Sequence, residues 1–218
     1  EQFPQDLVNA TIAVEDDSFW TNPGFEIPAT VRAFLQYVGL GAGDTGGSTI
    51  TQQLVRNVLF DFAYRAERSV QRKAEEIILA TLLTNRLSKQ EIMRLYLAYG
   101  AQAAAQTFFG KDVEELTLGE AALLAGLPQA PANLNPLDPD PAVQAAVSDR
   151  WNLVLNRMVA EGFITAAQRD EALRAGLTFN PRDVPLRAPH FTVFAQNELE
   201  RLMVELGYGP DQIARGGL

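Results

Sequence analysis

Apolar side chains recur at intervals of three and four along most of the 218-residue chain, the period of a helix with one buried face. Three of these stretches mark their own starts. Ser88-x-x-Glu91, Thr117-x-x-Glu120 and Thr165-x-x-Gln168 each place a hydroxyl and, three residues on, an acid or amide, so that each can satisfy a free N–H of the first helical turn. Ile92, Leu95 and Tyr96 follow the first signal, Ala121, Leu124 and Ala125 the second, and Ala172 and Leu173 the third. A longer amphipathic stretch over about 66–83 carries Arg68, Arg72, Lys73, Glu75 and Glu76 on its polar side, and 27–38 also predicts a helix. Alternating β-branched segments are scarce, so the expected fold is mainly α.

Five prolines between Pro128 and Pro141 break this pattern. They forbid helix and predict an extended crossing, the best internal boundary in the chain. Beyond it, a further helical run is expected over about 190–206, then a Gly-Tyr-Gly-Pro turn at 207–210. No run approaches the roughly 18 apolar residues of a membrane span, and no signal-peptide pattern opens at Glu1, so any anchor is expected outside this stretch.

Composition narrows the chemistry. The chain has no cysteine, which removes thiol nucleophiles, disulfides and Cys-rich metal sites. His190, the single histidine, cannot build HExxH and is assigned no role. Catalysis is therefore left to carboxylates, hydroxyls, Arg and Lys. A formal net charge of −9 argues against nucleic acid, and membrane contact would have to be apolar rather than electrostatic.

Three polar clusters remain as candidates: Glu15-Asp16 with Phe19 and Gly24; Gly46 to Leu54 with Arg56-Asn57; and Arg72-Lys73-Ala74-Glu75-Glu76. In the second, Ser48 is the expected helix cap, Ile50, Leu54 and Val58 form an apolar stripe, and Gln52, Gln53 and Arg56 are left facing something polar. Taken singly, each cluster also suits ordinary structure, since Gly-Gly turns and solvated acidic pairs are common.

Taken together and in order, they resemble glycosyltransferase family 51, the peptidoglycan glycosyltransferase domains of class A penicillin-binding proteins and their monofunctional relatives. Glu15-Asp16-x-x-Phe19-x-x-Asn22-x-Gly24 is similar to the motif E-D-x-x-F-x-x-H-x-G, and Gly46 to Asn57 to G-G-S-T-I-T-Q-Q-L-x-K-N. Arg72-Lys73-x-x-Glu76, Lys89-x-Glu91-Ile92 with Tyr96-Leu97, and Ala104 to Lys111 followed by Leu123 to Pro128 are similar to the later motifs.

The resemblance implies a lysozyme-like helical core with a smaller membrane-proximal jaw lobe, about 25–75, inserted in a glycosyltransferase domain over 1–181. Residues 182–218 would be a C-terminal helix and the start of a linker. It implies polymerisation of lipid II into β-1,4 glycan strands, with inversion and with lipid diphosphate as leaving group. The partners would be lipid II, the growing glycan strand, the membrane surface and cell-wall synthesis proteins, with no nucleic acid. The location would be the outer face of the bacterial cytoplasmic membrane, with an N-terminal anchor outside this chain.

Within that chemistry, Glu15 is expected to be the general base and Asp16 to orient it. A diphosphate needs cations and donors rather than a proton, and the expected set is Arg56, Arg68, Arg72, Lys73 and Lys111 with Ser48, Thr49, Gln52 and Gln53. Phe19 is expected to border the substrate. Glu76 is expected to share one cleft with Glu15 and to orient the cations; no cofactor is required, and magnesium or manganese held by Glu76 is the option left open. The apolar segment Val58 to Tyr64 is expected to face solvent or membrane.

Asn22, Arg56, Glu75 and Arg94 depart from the usual residues of the motifs. The resemblance also breaks between Leu97 and Ala98, where relatives carry roughly eight further residues, and a flexible loop absent from the chain is expected there. Two alternatives stay open: a lysozyme-like lytic enzyme, and a catalytically weak scaffold that binds glycan.

Overall fold

A computed structural model describes residues 3–28, 30–32, 48–60, 64–65, 67, 69–98, 100–129 and 134–181. The described residues form helices and contain no strand, and residues 1–181 make up one compact unit. The helices are α1 (Gln5–Glu15), α2 (Ile50–Leu59), α3 (Val70–Arg86), α4 (Lys89–Ala98), α5 (Ala101–Phe109), α6 (Leu118–Gly126), α7 (Pro141–Ala160) and α8 (Ala166–Ala175). The mainly α expectation is met. Residues 33–38 of one predicted helix, Gly46-Gly47, Arg68, Phe62 and the tail with His190 lie outside the described residues.

All three predicted caps form. Thr117 and Thr165 close reciprocal boxes with Glu120 and Gln168, and Ser88 donates to and accepts from Glu91 at the start of α4. At α2 the cap is Thr49 rather than Ser48. Thr49 Oγ1 accepts from the Gln52 amide at 3.2 Å while the Gln52 side chain accepts from the Thr49 N–H at 3.0 Å, which frees Ser48 for another partner. Helix α3 starts later than the sequence pattern suggested, because Ser69 caps it by accepting from Arg72 N–H.

The core is built around α1, whose stretch from Ala10 to Val14 is wholly buried against α6 and α7. Helix α6 is buried from Gly119 to Gly126, and α7 adds Val147, Trp151, Val154, Leu155 and Met158. Small residues allow the close approach: a Cβ on Gly126 would lie 3.1 Å from the Arg150 Cγ and 3.2 Å from a Val154 methyl. Trp151 Nε1 donates to Gly119 O at 2.8 Å, so the large ring satisfies its polar atom inside the helix pair. Helix α2 packs across α3 and α4.

One expectation is corrected here. The proline-rich crossing is not a boundary, since Pro141 is the first residue of α7 behind an Asp140 cap, a place where its missing N–H costs nothing, and α7 belongs to the core. Leu97 and Ala98 are successive residues of α4. The end of α2 does present apolar groups to solvent: Val58 and Leu59 are more than half exposed, and Phe60 packs edge-on against Tyr64 with 5.2 Å between centroids.

The turn after α1 is locked at Gly24, which has φ +103° and would place a Cβ only 2.5 Å from the carbonyl oxygen of Ala80 in α3. Gly24→Ala is expected to cost about 2 kcal/mol or more, through strain in the left-handed region and displacement of the turn from α3. Urea denaturation checks this, and an unchanged midpoint would contradict the contact.

Candidate functional site

Glu15 is the last residue of the buried helix α1, so its side chain has a fixed origin. Gln53, one turn into α2, donates its Nε2 to Glu15 Oε2 at 2.7 Å, and the Tyr96 hydroxyl of α4 donates to Gln53 Oε1 at 3.0 Å. Burial raises the Tyr96 phenol pKa, the charge of Glu15 adding to it, so Tyr96 stays a proton donor to Gln53. On the other side, Arg150 Nη2 lies 3.5 Å from Glu15 Oε1, and Arg150 is itself fixed through Nε to Gly126 O at 3.0 Å. Glu15 Oε1 is buried and accepts no hydrogen bond. The residue lines a polar cavity of about 400 Å³ shared with Asp17, Glu26, Arg32, Ser48, Arg150 and Arg157.

The cations gather on α2 and α3 around one carboxylate. Glu76 has no solvent exposure; Arg72 Nη1 lies 2.7 Å from its Oε2, Lys73 binds its Oε1, and Arg56 Nη1 stands 3.9 Å away. Spacings of three and four along α3 put Lys73 and Arg72 on the same face as Glu76. Lys73 also donates to Ser48 Oγ at 2.9 Å, and burial lowers the pKa of its ammonium although Glu76 opposes this. Three cations against one carboxylate leave the cluster positive, and Arg56 and Lys73 keep about a third of their side chains exposed.

A second, larger cavity of about 830 Å³ lies beside α2. Its walls are mostly apolar, from Leu7, Leu54, Leu97, Ala104, Phe108 and Leu134, with Gln53, Arg56, Asn57 and Tyr96 at a polar margin. Gln53 lines both cavities, so the residue that holds the Glu15 carboxylate also forms the partition between them.

Of the residues expected to meet substrate, Glu15, Ser48, Gln53, Arg56, Arg72 and Lys73 are brought together. Others are corrected. Glu76 lies beneath its cations and lines neither cavity, because a carboxylate matched by three cations is stable out of water. Both its oxygens are engaged by side-chain cations, and among the described residues no group of three or more His, Cys, Asp or Glu could hold a metal ion.

Phe19 is fully buried and Gln52 caps α2, whereas Asp16 and Thr49, though buried, do line the polar cavity, with the Thr49 hydroxyl donating to Gly24 O and the Asp16 carboxylate held by its own donors. Lys111 belongs elsewhere: its ammonium pairs with both oxygens of Glu120 at 2.7 and 2.9 Å, where Glu120 caps α6. Glu75, a departure from the motif, points away from the cluster to the Tyr64 hydroxyl at 2.7 Å, which pushes that phenol up to about 12.

Sequence reading missed Arg150, Arg157 and Tyr96. The signal for the first two was a pair of arginines seven residues apart within the apolar stripe of Val147, Trp151, Val154 and Met158.

This geometry can be set beside known proteins. The family described as Transglycosylase matches residues 1–159. Penicillin-binding protein 1A of Vibrio cholerae is 38% identical over 228 residues, covering all of this chain and 26% of its own length. That of Aquifex aeolicus is 44% identical over 187 residues, covering 82% and 24%. A crystal structure of penicillin-binding protein 1A from Haemophilus influenzae matches 70% of this chain and 19% of that one at 31% identity, with a TM-score of 0.40. The chain spans about a quarter of the length of these curated relatives. With a family match across most of its length, ordered motifs, and a carboxylate set beside a cation cluster, the chain belongs to the transglycosylase family, the peptidoglycan glycosyltransferases.

Proposed function

We propose that this domain extends glycan strands from lipid II, with inversion to a β-1,4 link and with lipid diphosphate as the leaving group. The observation that carries the reading is the Glu15 carboxylate on the wall of the polar cavity, with Oε1 accepting no hydrogen bond, set beside a cluster of cations in excess over their carboxylate. A sugar hydroxyl is a weak nucleophile. Glu15 Oε1 takes the proton of the acceptor 4-hydroxyl as that oxygen attacks the anomeric carbon of the donor, and Gln53 and Arg150 hold the carboxylate in place from either side.

The bond from the anomeric carbon to the diphosphate oxygen then breaks, and the electron pair leaves with the diphosphate. No proton is needed there, but negative charge grows on oxygens that Arg56 and Lys73 can meet. In this arrangement the acceptor occupies the polar cavity and the growing strand the larger one, with the reacting carbon at the partition. Val58 and Leu59, exposed at the end of α2, would meet the membrane surface that delivers the lipid. The domain would work at the outer face of the cytoplasmic membrane, and no helix among the described residues is long and apolar enough to cross a membrane. A lytic reading has no use for the cations, since its leaving group is a sugar.

Polymerisation of lipid II by wild type and Glu15→Gln tests the reading. The variant is expected to lose about 10²- to 10⁴-fold in rate with its thermal midpoint unchanged, and retention of activity would sink the assignment of Glu15. Glu76→Gln separates support from contact. It should lower stability by about 3 kcal/mol in urea denaturation and raise the KM for lipid II as the cations separate. A loss of kcat alone, at full stability, would instead mark Glu76 as touching the reacting groups.

A further inference from the structure

Lys89 is used nowhere in the mechanism above, yet its surroundings are those of a built contact. It is the first residue of α4, half-buried, with its ammonium 2.9 Å from Asn22 Oδ1 and 4.7 Å from the centre of the buried Phe19 ring. Asn22 Oδ1 also accepts from Gly24 N–H at 3.0 Å. With two donors on one side, the amide can face only one way. Its Nδ2 is turned to Asp16, donating to Oδ1 at 2.9 Å and Oδ2 at 3.1 Å.

Asp16 is a hub. Besides Asn22 it accepts from Ser18 Oγ at 3.1 Å and from the Ile50 N–H at 3.1 Å, the first backbone N–H of α2. The carboxylate thus holds the start of α2 against the end of α1, and α2 carries Gln53 to Glu15. The loop of contacts closes: Lys89 orients Asn22, Asn22 and the α2 terminus hold Asp16, and Asp16 sets the separation across which Gln53 grips its neighbour Glu15. Each bond to Asp16 runs from donor to carboxylate, so the hub needs the ionised form.

We infer that Lys89 is a positioning residue for glycosyl transfer, acting through Asn22 on Asp16 and thereby on the placement of Glu15. The inference rests on the reading of Glu15 as general base. Burial raises the Asp16 pKa while the Lys89 ammonium, through space, lowers it. The other charges near Asp16 are Glu15, turned to Gln53 and Arg150, the exposed Asp17, the positive N-terminus of α2, and Glu26, Arg32, Arg150 and Arg157, which line the same polar cavity. Lys89 is the side-chain cation that acts on it through space. Removing that cation raises the Asp16 pKa further, so activity is lost at a higher pH on the acid side. Where the family motif has a titratable imidazole, Asn22 cannot titrate, which leaves Lys89 as the charged end of this chain of contacts.

The experiment uses Lys89→Met and Lys89→Arg in the full domain, with lipid II turnover measured across pH. Lys89→Met is expected to lower kcat about tenfold or more with KM little changed, and to move the acid limb of kcat to higher pH. Lys89→Arg should restore most of the rate. In parallel, carbon NMR of aspartate-labelled protein should show the Asp16 midpoint rising in Lys89→Met. This second measurement does not depend on turnover: an inactive wild type would count against glycosyl transfer, while the Asp16 titration would still decide the link. If Lys89→Met does not fold, Lys89→Gln, which keeps a donor and drops the charge, takes its place. An unmoved Asp16 midpoint, or a loss equal at every pH that tracks thermal stability, would overturn the proposal.

Discussion

A carboxylate with no access to water must be matched by positive charge, and in this domain that demand falls on Glu76. Arg72 and Lys73 come from its own helix and Arg56 from α2, so satisfying one buried acid fixes the packing of α2 on α3. The match overshoots. Two positive charges remain beyond what the acid neutralises, and they are held at a surface where they have no water-free partner of their own. Coulomb repulsion among three cations would normally scatter them, and the acid beneath is what makes a dense positive patch affordable.

The same economy of contacts operates around Glu15. Its helix is buried on nearly every side, which gives the carboxylate a rigid origin but also isolates it from solvent that could solvate both oxygens. One oxygen is satisfied by Gln53 and the other is left without a hydrogen bond. A buried acceptor without a donor costs free energy in the resting domain, and any donor that reached it would recover that cost. Gln53 is placed where a single amide can serve Glu15, Tyr96 and both cavities at once.

Much of this was legible in the residues. Capping pairs such as Thr117 with Glu120 are local, so their geometry follows from a spacing of three and survives any tertiary context. The apolar period behind those pairs gave α4, α6 and α8, and the Arg72-Lys73-x-x-Glu76 spacing placed an acid and two cations on one helical face. What the sequence concealed depends on contacts between distant segments. Asp16 and Phe19 sit in a motif beside Glu15, yet a motif does not say which of its side chains face inward, and both are buried. Lys111 carries the same charge as Lys73 but meets Glu120 before any other acid. Thr49 displaced Ser48 as the cap because Gln52 could reciprocate, a one-residue choice between neighbouring hydroxyls. Arg150 is 135 positions from Glu15, beyond the reach of any local rule.

That last separation has a consequence for how the protein is made. The carboxylate of Glu15 leaves the ribosome early, but the guanidinium that flanks it rides on α7 and is pinned to Gly126 only after α6 and α7 have packed. A nascent chain ending before residue 150 carries Glu15 and the cation cluster without the guanidinium on the far side. The surroundings of Glu15 are therefore complete only after the later helices dock onto the first, and its finished arrangement is itself a record that translation has passed α7 and the core has closed.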